Sequence, residues 1–231
     1  MPNKLPIHIG IIIDGNRRWA KERSLPIFEG HRRGLAIVKK VASWCFERGI
    51  KFVSFYSFST ENWARPKKEV DYLMNKIFKN NLFEKDLKYF QQKNIKILFS
   101  GKKEKLPPLL LKNIKKAVKL TKKNNRGTII FCLNYGGRRE IVDAVKKIVE
   151  QKIAKEKINE KTIRKNLYHP EISNPDLIIR TAGEQRLSNF LLWQSAYSEL
   201  YFIKKYWPDF TKKDLEKAIN NYLKRERRYG K

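Results

Sequence analysis

Six short runs of branched and aromatic residues recur along the chain, and longer segments with helical spacing lie between them. The runs predict strands at residues 7–13, 52–58, 95–99, 128–133, 177–180 and about 200–203. Strand and helix alternate throughout. This order predicts an α/β fold in which a six-stranded, mostly parallel sheet is covered by helices on both faces.

The helical segments carry apolar residues three or four positions apart. These residues are Ile37, Val41, Trp44 and Cys45; Leu73, Ile77 and Phe78; Leu110, Ile114, Ala117 and Val118; Ile141, Val145, Ile148 and Val149; and Leu215, Ile219, Tyr222 and Leu223. Such spacing places each group on one helix face, which is typical of helices that cover a sheet.

The chain has 231 residues, enough for one substantial core, and no long linker-like stretch divides it. We therefore expect a single domain, residues 1–231. The longest uncharged run, residues 187–198, is too short and too polar to cross a bilayer, and the first residues lack a signal-peptide pattern. Cys45 and Cys132 lie in apolar stretches, which favours free thiols in a reducing compartment. These features together predict a cytoplasmic protein.

The formal net charge is +29, from 52 Lys and Arg residues against 23 Asp and Glu residues. This excess favours a polyanionic partner, whether nucleic acid, an anionic membrane surface or a phosphorylated substrate. Lysine pairs such as Lys39-Lys40 are equally typical of solvated helix faces. Nucleic-acid binding is therefore one alternative, although the sequence has no recognised module and no basic run with interleaved aromatics.

Polar segments rich in glycine and arginine follow four of the predicted strands. They read DGNRRW after the first strand, STENWARP after the second, NYGGRRE after the fourth and RTAGEQRLSN after the fifth. In an open parallel sheet these segments lie along one edge, where ligands bind. Neither GxxxxGK[ST] nor GxGxxG is present, which argues against two common nucleotide sites.

The composition of this edge suits phosphate groups. Gly15 permits close approach of the backbone to an anion, and arginines can hold phosphates bidentately. The arginines are Arg17, Arg18, Arg65, Arg180 and Arg186. Asp14 among them predicts a Mg²⁺ ion between carboxylate and phosphate. Taken alone, Asp14 is explained equally well as a helix N-cap, and the neighbouring arginines favour the metal.

Other candidates have a functional and a structural explanation. Glu199 is either a second Mg²⁺ ligand or an exposed charge at a strand end. His31 is either a binding residue or a helix-start and surface residue. Trp19 and Trp63 either form an apolar wall of a cleft or belong to the core. A cleft with such a wall would suit a ligand with a charged head and an apolar tail.

The assembled segments resemble the cis-prenyltransferase family of isoprenyl transferases, whose bacterial members include undecaprenyl diphosphate synthase. The matching segments are HIGIIIDGNRRWA, GHRRG, FYSFSTENWARP, NYGGRREI, DLIIRTAGEQRLSNFLLWQSAYSELYF with WPDF, and RERRYG. They occur in the family's order and span nearly the whole chain. Six segments in order are far more specific than any one of them.

The resemblance implies a Mg²⁺-dependent homodimer with a hydrophobic tunnel in each subunit. An allylic diphosphate such as farnesyl diphosphate would be extended with isopentenyl diphosphate, and each new double bond would be cis. The expected product is a long-chain polyprenyl diphosphate for a cell-wall lipid carrier, most simply undecaprenyl diphosphate. The positive excess is compatible with peripheral contact with an anionic membrane at its cytoplasmic face. A non-catalytic partner subunit is a further alternative, but such subunits lose the aspartate that Asp14 matches.

The resemblance also implies roles for individual residues. Asp14 matches the essential aspartate and Mg²⁺ ligand, and Glu199 matches a second metal-binding acid. Asn62 matches the catalytic asparagine, and we interpret it as a positioning group because a neutral amide is a poor base. The RYG segment at residues 228–230 resembles a motif that reaches across the dimer. The residues matching substrate-binding positions are Gly15, Asn16, Arg17, Arg18, Trp19, His31, Ser59, Thr60, Glu61, Trp63, Arg65, Arg180, Arg186, Leu187 and Ser188.

Four positions depart from the pattern of the bacterial family members. Arg17 and Ala182 stand where glycine is common, Ile27 where a phosphate-binding arginine is common, and Gln185 where histidine is common. Arg23 is a candidate to compensate for Ile27. Residues that would line a tunnel or simply pack in the core are Phe78, Phe83 and Phe90.

Overall fold

A parallel sheet forms the centre of the protein. The computed structural model describes residues 4–226, except for the side chains of residues 80–85. The strands are β1 (His8–Ile12), β2 (Phe52–Ser59), β3 (Ile95–Ser100), β4 (Gly127–Tyr135), β5 (Leu177–Arg180) and β6 (Glu199–Phe202). All are parallel and lie in the order β3-β4-β2-β1-β5-β6, which confirms the predicted six-stranded sheet.

Helices connect and flank these strands. The eight α-helices within the described range are α1 (Asn16–Glu22), α2 (Ile27–Glu47), α3 (Lys67–Tyr72), α4 (Leu87–Gln92), α5 (Pro108–Leu120), α6 (Gly137–Glu150), α7 (Glu160–Asn166) and α8 (Lys212–Lys224). A π-helix at Leu73–Lys85 continues α3, and short 3-10 helices lie at Thr60–Ala64, Lys155–Lys157 and Trp207–Asp209. Among the described helices, none is long and apolar enough to span a membrane.

The two faces of the sheet are covered by different hydrophobic clusters. Successive residues of a strand point to opposite faces, so Phe55 and Tyr56 of β2 belong to different clusters. The larger cluster includes residues of α2, α5 and α8, and within it Phe55 contacts Phe131 and Trp207. β4 is buried along all nine of its residues, as is typical of a central parallel strand.

Helix α6 forms where it is predicted, but only part of its predicted apolar face is buried. Ile148 is 2% exposed, whereas Val145 is 45% exposed and Val149 is 70% exposed. The hydroxyl of Tyr135 donates to the buried Glu140 at 2.5 Å, which turns the Glu140 side of the helix toward the sheet. The apolar spacing therefore identified the helix but misassigned two of its valines.

Candidate active site

The carboxyl ends of the central strands open into a cavity of about 650 Å³, here called the main cavity. Residues from separate segments of the chain line it, as expected at this edge of a parallel sheet. The predicted site residues among them are Asp14, Gly15, Asn16, Arg17, Arg18, His31, Ser59, Asn62, Arg65, Arg180 and Ser188. The structure therefore brings most of the predicted site together.

Asp14 follows β1 and is held in place by two donors. Its Oδ1 accepts a hydrogen bond from the N–H of Gly15 at 2.7 Å, and its Oδ2 accepts one from Nη2 of Arg180 at 2.9 Å. Nη2 of Arg18 lies 3.5 Å from Oδ1. Gly15, not Asp14, is the N-cap residue of α1, and no side chain caps that helix. The carboxylate is 31% exposed and lines the main cavity, so it is open to a ligand.

The turn after β1 requires a glycine. Gly15 has φ of 100°, and a Cβ there would lie 2.6 Å from the Tyr206 ring and 2.9 Å from Cβ of Ala182. Ala182 itself has φ of 71°, in the left-handed region that glycine adopts more easily. The departure at position 182 therefore places conformational strain beside the turn at Gly15.

Arg180 fixes the loop that follows β5. Its side chain is 4% exposed, and its Nη1 donates to the Arg186 carbonyl at 2.5 Å and to Oγ of Ser188 at 2.8 Å. Together with the hydrogen bond to Asp14, these contacts connect the segment after β1 to the loop after β5. Nε of Arg180 is buried and has no hydrogen-bond partner among the described atoms.

Glu69 is not among the predicted site residues, yet it joins three of them. Its carboxylate is 5% exposed and lies 3.1 Å from Nε2 of His31, 3.1 Å from Nη1 of Arg65 and 3.5 Å from Nε of Arg17. Burial alone would raise the pKa of Glu69, but the His31 hydrogen bond and the two guanidinium charges hold it below its usual value. Burial lowers the pKa of Arg65. The positively charged wall of the cavity thus depends on Glu69, a buried carboxylate that does not itself line the cavity.

The segment after β2 forms a 3-10 turn with a capping box between Ser59 and Asn62. The Asn62 side-chain oxygen accepts a hydrogen bond from the Ser59 N–H at 3.2 Å. Trp63 donates its indole N–H to Oδ1 of Asn134 at 2.7 Å and packs on Phe58, with 5.1 Å between ring centroids. Trp63 therefore supports the turn from the core side and does not line the main cavity.

A second cavity of about 510 Å³, here called the side cavity, adjoins the main one. Its lining residues are Ser59, Glu61, Asn62, Arg138, Ser188, Asn189 and Leu192. Ser59, Asn62 and Ser188 line both cavities, so the two spaces meet at these residues. Glu61 therefore lines the side cavity and not the main cavity.

Four other predicted binding residues lie off the main cavity. Trp19 is 7% exposed, and the Arg23 guanidinium lies over the Trp19 ring, with Cζ of Arg23 4.7 Å from the ring centroid. Oγ1 of Thr60 lies against Gly136. The two remaining residues are Arg186, which is 59% exposed and bonded to Glu184, and Leu187, which packs against the smaller hydrophobic cluster.

The arginine missing at position 27 is not replaced by Arg23. Ile27 lines the main cavity, but Arg23 donates to Asp209 at 2.9 Å and to the Trp19 carbonyl at 3.2 Å. Arg17 does line the cavity, and its side chain is 47% exposed. The cavity lining therefore has a guanidinium at position 17 and none at position 27.

Glu199 lies at the opposite end of the sheet from Asp14 within one chain. It pairs with Leu177 at the start of β5, whereas Asp14 contacts Arg180 at the end of that strand. At the rise of a β-strand, the Leu177 and Arg180 ends of β5 lie about 10 Å apart. Nη1 of Arg225 donates to Glu199 at 2.5 Å. The role of Glu199 as a metal ligand stays a prediction, and it would require a Glu199 from a second chain. The predicted RYG motif lies outside the described residues.

The end of the main cavity away from Asp14 is apolar. On α2, the lining residues His31, Leu35 and Val38 are spaced so that one helix face runs from the charged end into the apolar end. The other apolar lining residues are Ile12, Ile13, Leu25 and Ile27, near β1 and the start of α2, and Leu73, Ile77, Phe78 and Phe131, from the π-helix and β4. Of the three candidate phenylalanines, Phe78 lines the cavity, Phe90 is fully buried beside Phe131, and the Phe83 side chain is outside the described atoms.

Known proteins are similar to this chain over nearly its whole length. The family model of undecaprenyl diphosphate synthase matches residues 12–230. An isoprenyl transferase from Thermotoga maritima is 49% identical over 229 residues, covering 98% of this chain and 97% of the relative. A relative from Micrococcus luteus is named as a (2E,6E)-farnesyl-diphosphate specific ditrans,polycis-undecaprenyl-diphosphate synthase. It is 42% identical over 231 residues, covering 98% of this chain and 92% of the relative.

A solved structure has the same fold. The lavandulyl diphosphate synthase of Lavandula x intermedia, in complex with dimethylallyl diphosphate, gives a TM-score of 0.93 at 39% identity and covers 98% of this chain and 99% of that one. These similarities support the transferase interpretation over the nucleic-acid-binding one. The chain belongs to the undecaprenyl diphosphate synthase family and is a cis-prenyltransferase.

Proposed function

We propose that this protein extends farnesyl diphosphate, or a similar allylic diphosphate, by repeated condensation with isopentenyl diphosphate. The observation that carries this proposal is the division of one cavity into a charged end at Asp14 and Arg180 and an apolar end beyond Leu35. A growing prenyl diphosphate has the same two parts. The name of the Micrococcus luteus relative supports undecaprenyl diphosphate as the product, with cis double bonds in the added units.

Asp14 fits a role as a Mg²⁺ ligand. Its carboxylate is partly exposed in the cavity and is fixed by Arg180. No cluster of three acids, histidines or cysteines occurs among the described residues, and Mg²⁺ needs none, because it takes one or two carboxylates and fills its shell with water and phosphate oxygens. When bound, Mg²⁺ would stabilise negative charge on the departing diphosphate. Glu199 would contribute only from a second chain.

In each proposed cycle, the bond between C1 of the allylic group and its diphosphate oxygen breaks, and C1 joins C4 of isopentenyl diphosphate. A proton then leaves C2 of the added unit, which forms the new double bond. Arg17 and Arg18 bind the allylic diphosphate, and Arg65 lies on the same side through Glu69. Asn62 positions the substrates, and an oxygen of the released diphosphate takes the proton.

We further propose that two copies form a homodimer through α6. Val142, Val145 and Val149 are 47%, 45% and 70% exposed, and their spacing makes one apolar stripe on this helix. Such a stripe is typical of a protein interface.

We also propose that residues 1–231 form one cis-prenyltransferase domain in the cytoplasm, in peripheral contact with an anionic membrane. The exposed residues lining the main cavity include Arg17, Lys21 and Leu25, so the cavity opens beside α1. An apolar product leaving there would meet a basic rim, which attracts anionic lipid.

The test is incubation of the purified protein with farnesyl diphosphate, labelled isopentenyl diphosphate and MgCl₂, followed by chromatography of the dephosphorylated products. We expect long-chain prenols, loss of product with a chelator and recovery with added Mg²⁺. Absence of any elongated product under these conditions would contradict the proposal. A product of fewer units would correct only the assigned length.

A further inference from the structure

The NYGGRRE segment is not used by the proposed function, although it lies at the functional edge of the sheet. Its first residue, Asn134, is the next-to-last residue of β4 and is 5% exposed. The pairing of β2 with β4 is irregular here, because Phe58 pairs with Leu133 and the next residue of β2 pairs with Tyr135. Asn134 is therefore the extra residue of a β-bulge. Its φ of 51° is in the left-handed region, which asparagine adopts more readily than most residues.

The side-chain amide of Asn134 joins two loops to the end of β4. Its Oδ1 accepts a hydrogen bond from the indole N–H of Trp63 at 2.7 Å. Its Nδ2 donates to the carbonyls of Lys102 at 3.1 Å and Glu104 at 2.8 Å. Because an indole N–H only donates and a carbonyl only accepts, these partners allow one orientation of the amide. Asn134 thus connects the segment after β2 to the loop after β3.

The loop after β3 packs directly on the end of β4. Gly101, at the start of this loop, has φ of 141°, and a Cβ there would lie 2.1 Å from the Leu133 carbonyl oxygen and 2.9 Å from that of Asn134. A side chain cannot fit at these distances, so the close approach requires glycine. The Lys102 N–H also donates to the Asn134 carbonyl at 3.0 Å. The loop therefore supports Asn134 from the side opposite Trp63.

Trp63 connects Asn134 to the wall of the main cavity. Its ring packs on Phe58, with 5.1 Å between ring centroids. It directly follows Asn62, whose carbonyl accepts from the Arg65 N–H at 3.1 Å. Asn62 and Arg65 line the main cavity. A shift of Trp63 would therefore move two groups of the site.

We propose that Asn134 is a positioning residue for the condensation, and that it acts through Trp63 to hold Asn62 in place. The inference rests on the proposed function, because the rate of elongation is one of its readouts. Asn134 itself lines neither the main cavity nor the side cavity, so its effect on the reaction is indirect. A misplacement of about 1 Å in a positioning group can slow a reaction by up to about a hundredfold.

A purely structural role is the competing explanation, since Asn134 also ties the loop after β3 to β4. Asn124 provides a matched comparison. Its Nδ2 donates to two carbonyls, those of Phe90 at 3.4 Å and Ile95 at 2.8 Å. Asn124 precedes β4, at the other end of that strand, and does not line the main cavity. Loss of either amide removes two hydrogen bonds to carbonyls, but loss of the Asn134 amide also removes the support of Trp63.

The kinetic experiment compares wild type, Asn134→Gly, Trp63→Phe, the double variant and Asn124→Gly in elongation assays. Glycine removes the amide and adopts the left-handed backbone without strain. Phenylalanine keeps a ring against Phe58 but lacks the N–H donor. We expect Asn134→Gly and Trp63→Phe each to lower kcat about tenfold. The double variant should lose no more than about a further twofold, because both substitutions remove the same contact.

The matched control separates positioning from stability. Asn124→Gly should lower the thermal midpoint about as much as Asn134→Gly does, because each variant loses hydrogen bonds to two carbonyls and gains chain entropy. Its kcat should stay within about twofold of wild type, because the lost contacts are remote from the site. An equal loss of kcat in the two glycine variants would overturn the inference.

The indole N–H signal of Trp63 tests the contact without turnover. Protein labelled with ¹⁵N-tryptophan has five indole groups, and the signal missing from the Trp63→Phe spectrum belongs to Trp63. We expect this signal to move in Asn134→Gly and to stay in place in Asn124→Gly. An unmoved Trp63 signal in Asn134→Gly would show that Asn134 does not hold the indole, and the inference would fail.

Trp63→Phe decides the inference if Asn134→Gly does not fold. A lowered kcat with an unchanged thermal midpoint supports positioning through the indole N–H, whereas an unchanged kcat overturns it. If both single variants fold, losses that multiply in the double variant would also overturn it. An inactive wild type would contradict the proposed function, whereas an active wild type with an equally active Trp63→Phe variant would contradict this inference alone.

Discussion

The two ends of the main cavity are built in different ways. The charged end is made by segments that follow separate strands and are joined by ion pairs, as between Asp14 and Arg180. The apolar end is made by residues of α2 and of the π-helix, such as Leu35 and Ile77, which also contact the general core. A charged site needs particular groups at particular places, whereas an apolar wall needs only volume and shape.

This difference predicts which properties each end controls. Groups at the charged end act on the reacting bonds, so their loss changes rate. Groups at the apolar end contact the growing chain, so their size changes how far elongation continues. Substitutions at one end should leave the property of the other nearly unchanged.

The largest expected effect comes from Asp14→Asn, which keeps the shape of the charged end and removes its charge. We expect the initial rate of the first condensation to fall about a thousandfold. Asp209→Asn is the matched control, since Asp209 pairs with Arg23 away from the cavity. Initial rates are measured with labelled isopentenyl diphosphate. An equal loss of activity in the two variants would contradict the special role assigned to the charged end.

The next effect concerns the support behind the charged end. Glu69→Gln leaves Arg17, Arg65 and His31 without their shared carboxylate, and we expect unfolding free energy to fall by about 3 kcal/mol at pH 7. Because the folded-state pKa of Glu69 is depressed, its contribution is present above the usual carboxyl pKa and lost as pH falls. The difference between wild type and variant, measured by urea unfolding, should shrink below about pH 4.

Glu29→Gln is the control for this prediction. Glu29 is 40% exposed and pairs with Arg32 on the surface of α2. Its loss should cost under about 0.5 kcal/mol. Equal destabilisation by the two substitutions would show that the buried position of Glu69 is unimportant.

At the apolar end, Leu35→Phe should shorten the product without slowing the first condensation. Leu35 is half-buried and lines the cavity, so a larger side chain can occupy space meant for the prenyl chain. The initial rate should stay within about threefold of wild type. Chromatography of the prenols reads the length, and Ala36→Val, on the exposed side of α2, should leave it unchanged.

The smallest effect is expected at Ala182, where φ is 71°. Ala182→Gly should raise unfolding free energy by about 0.5 to 1 kcal/mol, because relief of left-handed strain exceeds the added chain entropy. Ala36→Gly, in the interior of α2, should lower it by about 1 kcal/mol. Denaturant midpoints of the two variants that move in the same direction would contradict the assigned strain.

Sequence patterns located the strands well because branched and aromatic runs depend on local composition. They assigned α6 less well, since Val145 and Val149 follow the same spacing as Ile148 but lie on the exposed side. Glu69 was missed for a related reason. On α3 it is one acid among many charged helix residues, and only the approach of His31 and Arg65 gives it a role.

The sequence by itself determined the strand order in the chain, the segments at the functional edge and the family, because these depend on residue types in succession. Tertiary structure decided which residues meet. It placed Trp19 and Trp63 off the main cavity, separated Glu199 from Asp14 within one chain and put Arg138 and Ser188 in the lining of one cavity. Contacts between distant segments depend on how helices rotate and pack on the sheet, and local residue patterns leave that packing open.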